Sequence, residues 1–137
     1  MHDPRIKTLT ALPTSIIHDV MRENGFRNFI LPRRIEPLQP EKILCGPTFT
    51  IEGHLDPTAN SSKTLSAWME LLSNCKPGHI WTVQPNNHEI AQMGGLSAEA
   101  LQAKGVLGCV IDGALRDSPF ILDLGFTSWR THHTPKD

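Results

Sequence analysis

The stretch GGLSAEALQAKGVLGCVIDGALRD, residues 94–117, decides the fold. Its glycine pair opens a segment with helical spacing from about Leu96 to Lys104. Gly105 suits the left-handed stop of that helix, and the apolar run Val106 to Ile111 reads as a buried strand that ends at Asp112-Gly113. Outward from this unit the same alternation recurs. Downstream, Ser118 and Pro119 suit the N-cap and first turn of a helix carrying Ile121, Leu122 and Leu124, and Gly125 precedes a strand from Phe126 to Trp129. Upstream, Ser61 or Ser62 starts a helix with Leu65, Trp68, Met69 and Leu72 on one face, followed by a strand over Ile80 to Val83. Farther back, Cys45 to Ile51 alternates as a strand, and Thr14 or Ser15 caps a helix with Ile16, Ile17, Val20 and Met21 that Gly25 stops. Strands alternating with helices predict an α/β domain. No linker divides the chain, so a single domain over residues 1–137 is expected.

Composition bounds the function. The 137 residues hold 13 Lys and Arg against 14 Asp and Glu, with 39% apolar residues, so the chain has enough apolar surface for a core and no basic excess for nucleic acid phosphates or anionic lipid. No apolar run reaches the ~18 residues of a membrane span, and no apolar h-region with a small-residue cleavage site follows the polar start Met1 to Lys7, so no secretion signal is expected. Cys45, Cys75 and Cys109 are odd in number and widely spaced, as expected of buried thiols in a reducing, cytoplasmic setting.

Several familiar signatures fail. His88-Glu89 opens like a zincin helix, but Gln92 stands where the second histidine is needed. Gly95-Leu96-Ser97 opens like a nucleophile elbow, but Glu99 replaces its closing glycine. The glycine spacings fit neither a phosphate loop nor a dinucleotide fingerprint. The seven histidines are scattered apart from His132-His133.

What remains is a constellation from Gly94 to Asp117. The glycine pair permits close backbone approach, and the helix start after it offers free N–H groups at a positive dipole end to a carboxylate. Asp112, Arg116 and Asp117 follow the next strand, where open α/β sheets bind ligands. A guanidinium holds carboxylate or carbonyl oxygens, and a neighbouring carboxylate holds a hard divalent cation. Spacing alone is equally compatible with a glycine turn, a strand and an Arg/Asp pair on a solvated loop. Asp112, with Gly113 behind it, reads as a turn residue rather than a ligand.

The same segment, with CGPTFTIEG at residues 45–53 and LGFTSWRTHHTPKD at 124–137, resembles the RraA-like family, which includes 4-hydroxy-4-methyl-2-oxoglutarate aldolases. The resemblance runs over nearly the whole chain and is most specific in the glycine turn, helix, strand and DGxxRD order. It implies a swivelling β/β/α fold, a homotrimer or hexamer, and Mg²⁺- or Mn²⁺-dependent cleavage of a small 2-oxo acid to release pyruvate, including decarboxylation of oxaloacetate. By position it assigns the substrate carboxylate to the backbone of Gly94, Gly95, Leu96 and Ser97, substrate oxygens and charge stabilisation to Arg116, and the metal to Asp117. Two departures accompany it: Gly95 stands where members often carry Asp or Glu, and Ser97 where an aliphatic residue is common. Members also continue well beyond the position of Asp137, so the chain reads as lacking the C-terminal part of the domain. A second function is therefore carried alongside the lyase: a non-catalytic binding protein or inactive fragment, of the kind that regulates RNA-degrading enzymes.

Overall fold

A computed structural model describes residues 3–137. The elements in chain order are α1 (Pro4–Thr10), α2 (Thr14–Glu23), β1 (Glu36–Pro37), β2 (Thr48–Glu52), α3 (Ser61–Asn74), β3 (Ile80–Gln84), β4 (Ala91–Met93), α4 (Gly95–Ala103), β5 (Gly108–Ile111), β6 (Ala114–Leu115), α5 (Ser118–Leu124), β7 (Thr127–Arg130) and β8 (His132–His133).

The strands form two sheets. One has the order β1-β7-β5-β3-β2, parallel throughout except for β1, which runs antiparallel to β7; the other is β4-β6-β8, all parallel. Each central strand of the first sheet leads to a short strand of the second: β5 bends into β6 and β7 into β8, while β3 reaches β4 through residues 85–90. Asp112-Gly113 is thus a bend between sheets and not the end of the strand pattern. The Asp112 N–H donates to Val83 O of β3 at 2.9 Å, and the Thr131 N–H to Gly113 O at 2.9 Å, which ties the β5–β6 and β7–β8 bends together. Two such strand pairs are each followed by a helix, α4 and α5, so strand, bend, short strand and helix recur along the second half. The α/β class holds, and this two-sheet plan is the swivelling β/β/α arrangement expected.

Alternation explains which face is covered. Phe49 and Ile51 of β2, Trp81 and Val83 of β3, and Cys109 and Ile111 of β5 lie two residues apart and join Ala98 and Leu101 of α4 and Ile121 of α5 in one apolar core. Burial pushes the Cys109 thiol up to about 12, so it packs as a small apolar group and carries no thiolate. On α3 the core-facing residues are Trp68, Leu71 and Leu72, while Leu65 and Met69 stay 61% and 59% exposed. The face expected of Leu65 and Met69 is therefore rotated, because α3 turns Trp68 toward Trp81 in an edge-on contact at 5.5 Å between centroids. α2 forms as expected and ends before Gly25, at φ +80°, but buries no residue. α1 was not anticipated. Its signal is the pair Asp3-Pro4, in which Asp3 caps by accepting the Arg5 N–H at 2.9 Å and Pro4 takes the first turn. Among the described residues no helix is long and apolar enough to cross a membrane.

Candidate functional site

The glycine turn and the DGxxRD segment meet because β4 and β6 are paired neighbours. Each short strand feeds directly into a helix, so the β4–α4 and β6–α5 junctions lie side by side, joined by the Arg116 N–H donating to Met93 O at 3.0 Å. Gly94 is the N-cap of α4, extended at φ −126°, and offers no side-chain cap. Its role is space: a Cβ there would lie 2.7 Å from Asp117 Oδ2 and 2.9 Å from Arg116 Nε. The absent side chain lets both functional groups reach the helix start.

Asp117 is the N-cap of α5, one position earlier than the Ser118 the sequence suggests, and sits in the left-handed region at φ 57°, ψ 35°. A non-glycine residue there costs free energy that surrounding contacts must offset. The compensating contact is in place: the Asp117 Oδ2 accepts the Gly95 N–H at 3.0 Å. In this structure the Gly95 N–H is thus engaged by Asp117. The N–H groups of Leu96 and Ser97 precede the first intrahelical bond, from the Ala98 N–H to Gly94 O at 3.1 Å, and point out of the positive end of the helix. Gly95 itself is buried under Phe120, whose Cδ1 would meet a Cβ at 2.7 Å. Ser97 neither caps α4 nor faces solvent alone: its Oγ accepts the Trp68 indole N–H at 3.1 Å and fixes α3 to the helix start. Leu96 stands 82% exposed at the rim.

Arg116 lies between two carboxylates, with Nε 3.8 Å from Asp117 Oδ2 and Nη1 2.5 Å from Asp137 Oδ2. Beyond them opens a cleft of about 440 Å³ lined by Arg116, Asp117, Ser118, Pro119, His133 and Thr134, among others. The sequence singled out His132-His133 without a use. The structure gives His133 one, since it contacts Ser118 Oγ through Nδ1 at 2.6 Å.

Asp112 is not part of this cluster. Both its oxygens accept from Arg34, Oδ1 from Nε at 2.7 Å and Oδ2 from Nη2 at 2.6 Å, which holds its carboxyl below the usual carboxylate range. This fork clamps the segment before β1 onto the bend between β5 and β6. The turn assignment for Asp112 is right about its place and silent about this partner 78 positions away.

A divalent ion can be tested against these donors. Asp117 Oδ1 has no protein partner among the described residues, and its side chain is half exposed. No group of three His, Cys, Asp or Glu side chains able to hold a metal occurs among the described residues. One open carboxylate is what a hard ion such as Mg²⁺ or Mn²⁺ can take from a protein when substrate oxygens and water complete its shell.

The sequence model of the RraA-like family (Aldolase/RraA) matches residues 14–137. Among solved structures, RraAS2 of Streptomyces coelicolor, described as an unusual member of the RNase ES inhibitor RraA protein family, superposes with a TM-score of 0.81 at 25% identity, covering 96% of this chain and 64% of that one. A chain described among novel cellulases from microbes associated with the gut ecosystem superposes with a TM-score of 0.90 at 22% identity, covering 99% of this chain and 61% of that one. The RNA-processing inhibitor RraA from Thermus thermophilis gives 0.72 at 20% identity, with 92% and 70% covered. The last two likenesses are of fold alone. This chain spans about three fifths of the length of the first two solved chains.

Proposed function

Because this chain belongs to the RraA-like family, we propose that it is a divalent-metal-dependent lyase that cleaves a small 2-oxo acid and releases pyruvate. The observation that carries the reading is the convergence of Arg116 and Asp117 on the space left by the missing Gly94 side chain, beside the open N–H groups of Leu96 and Ser97.

The chemistry follows from charge. Breaking the bond between C3 and C4 of a 2-oxo acid, by aldol cleavage or decarboxylation, leaves an electron pair that is stable only as an enolate, with negative charge on the former keto oxygen. Leu96 and Ser97 N–H groups bind the C1 carboxylate at the helix start and fix the substrate's near end. Arg116, which releases Asp137 when substrate arrives, holds the keto oxygen side and offsets the developing charge. Asp117 would hold the metal, which when bound supplies Lewis-acid polarisation of the keto oxygen. Gly95 brings no carboxylate to order water or carry a proton, so turnover in this chain depends on solvent or on other residues for those steps. The assembly that accompanies this reading is a homotrimer or hexamer.

The test is pyruvate release from 4-hydroxy-4-methyl-2-oxoglutarate and from oxaloacetate with Mg²⁺ or Mn²⁺, corrected for the metal-only reaction. Release that chelator abolishes is expected; release indifferent to chelator overturns the assignment.

A second reading is a non-catalytic partner of an RNA-degrading enzyme, as the name of the Streptomyces relative suggests for that protein. Gly95 favours it, because the chain lacks that carboxylate. Absence of turnover together with a stoichiometric complex with a purified endoribonuclease of the RNase E type supports this reading; full turnover counts against it.

A further inference from the structure

The hydrogen-bond order around Ser118 fixes where its proton goes. Arg130 Nε donates to His133 Nε2 at 3.3 Å, and the other ring nitrogen, Nδ1, lies 2.6 Å from Ser118 Oγ. A guanidinium has no lone pair to offer, so Nε2 is the acceptor and a neutral ring must carry its proton on Nδ1. Burial, followed by the charges of Arg130 and His132, lowers the His133 pKa, in keeping with a neutral ring. Nδ1–H therefore donates to Ser118 Oγ. This is the reverse of a nucleophile–base pair, in which the imidazole would accept from the hydroxyl. Arg130 is itself held, with Nη1 donating to Glu36 O at 3.3 Å and lying 3.8 Å from Glu36 Oε2. Glu36, Arg130, His133 and Ser118 thus form one ordered chain from β1 to the cleft.

The Ser118 hydroxyl, with an oxygen lone pair occupied by His133, has its own proton left to donate, and no acceptor among the described residues takes it. Ser118 lines the same cleft as Arg116 and Asp117. The cleft's lining includes no residue of α4, so Ser118 stands apart from the helix start where the C1 carboxylate would bind. We infer that Ser118 is a specificity-determining donor that binds the far carboxylate of a 2-oxo diacid, with His133 as the positioning residue that orients it. The inference rests on the substrate class proposed above, whose named members both carry a far carboxylate, and adds the residues that read it.

The test is calorimetric titration of the Mg²⁺-supplemented protein with pyruvate, which has no far carboxylate, and with 2-oxoglutarate, which has one. Losing a hydrogen bond to a charged group predicts that Ser118→Ala weakens 2-oxoglutarate about tenfold while pyruvate changes less than about twofold. His133→Ala gives the same selective loss, and His133→Asn, whose amide N–H replaces Nδ1–H, restores part of it. The ring ¹⁵N spectrum of His133 shows the Nδ1–H tautomer. Equal loss of both ligands, no loss of 2-oxoglutarate, absence of rescue by His133→Asn, or the Nε2–H tautomer overturns the inference while leaving the lyase assignment standing. Failure of the unmodified protein to bind pyruvate at all overturns the site assignment, and this inference with it.

Discussion

The Asp117 carboxylate accepts the Gly95 N–H at 3.0 Å, so that the N-cap of α5 holds the start of α4. The bond joins the β4–α4 and β6–α5 junctions and keeps Asp117 in the left-handed region that its backbone would otherwise leave. It also defines the candidate site as a shared property of the two junctions.

Gly94→Ala tests the cradle. Its Cβ would fall 2.7 Å from Asp117 Oδ2 and 3.0 Å from Arg116 Cγ, and both are partly exposed side chains able to swing away. Pyruvate release is expected to drop by about a hundredfold, the scale of a misplacement of about 1 Å, with stability lowered by only about 1 kcal/mol as the Asp117–Gly95 hydrogen bond is lost. Steady-state kinetics beside a melting curve check it.

Restoring the acid at position 95 carries a packing cost. Gly95→Asp puts a Cβ 2.7 Å from Phe120 Cδ1, and overpacking of this kind costs about 1–3 kcal/mol. Adding Phe120→Ala should relieve part of that cost, so the double variant unfolds at a higher denaturant concentration than additivity predicts. Urea melts of the three variants measure the coupling.

Asp137 competes with anionic ligands for Arg116, through the 2.5 Å contact between its Oδ2 and Nη1. The pair is exposed and worth about 1 kcal/mol or less, so Asp137→Asn should tighten pyruvate binding by about two- to fivefold. High salt should erase the difference, because exposed charges are screened. Calorimetry at low and high ionic strength reads both.

The Arg34 fork holds the Asp112 carboxyl below its ordinary range, and Asp112 is only 16% exposed. A carboxyl with a depressed folded pKa binds fewer protons folded than unfolded, so its contribution is present above about pH 4 and is lost as pH falls through the lowered value. Asp112→Asn should therefore lower stability at neutral pH and flatten the acid limb. Melting temperatures from pH 2 to 7 for both proteins check the sign.

The parts of the fold legible in the sequence are those with enough residues to show a period. The run Val106–Ile111 and the segment Leu96–Lys104, stopped by Gly105 at φ +84°, gave their element types and nearly their bounds. The second sheet was not legible, because β4, β6 and β8 are two or three residues long and no alternation shows over so few. Arg34 with Asp112 was equally hidden, since nothing local marks a pair 78 positions apart. At the site, the residue types at 94–97, 116 and 117 were readable as a motif. Their hydrogen bonds were not: the Gly95 N–H serves Asp117, and the Ser97 hydroxyl serves Trp68. His133 was visible only as half of a histidine pair, because its use depends on β8 lying beside β6.

The central claim is that Asp117 holds the ion on which carbon–carbon cleavage depends. It is tested most directly by the initial rate of pyruvate release from oxaloacetate with Mn²⁺, above the metal-only background, for the unmodified protein and Asp117→Ala. The account predicts release that the substitution reduces by about a hundredfold or more, to the level seen with chelator. Release that Asp117→Ala leaves unchanged would contradict it.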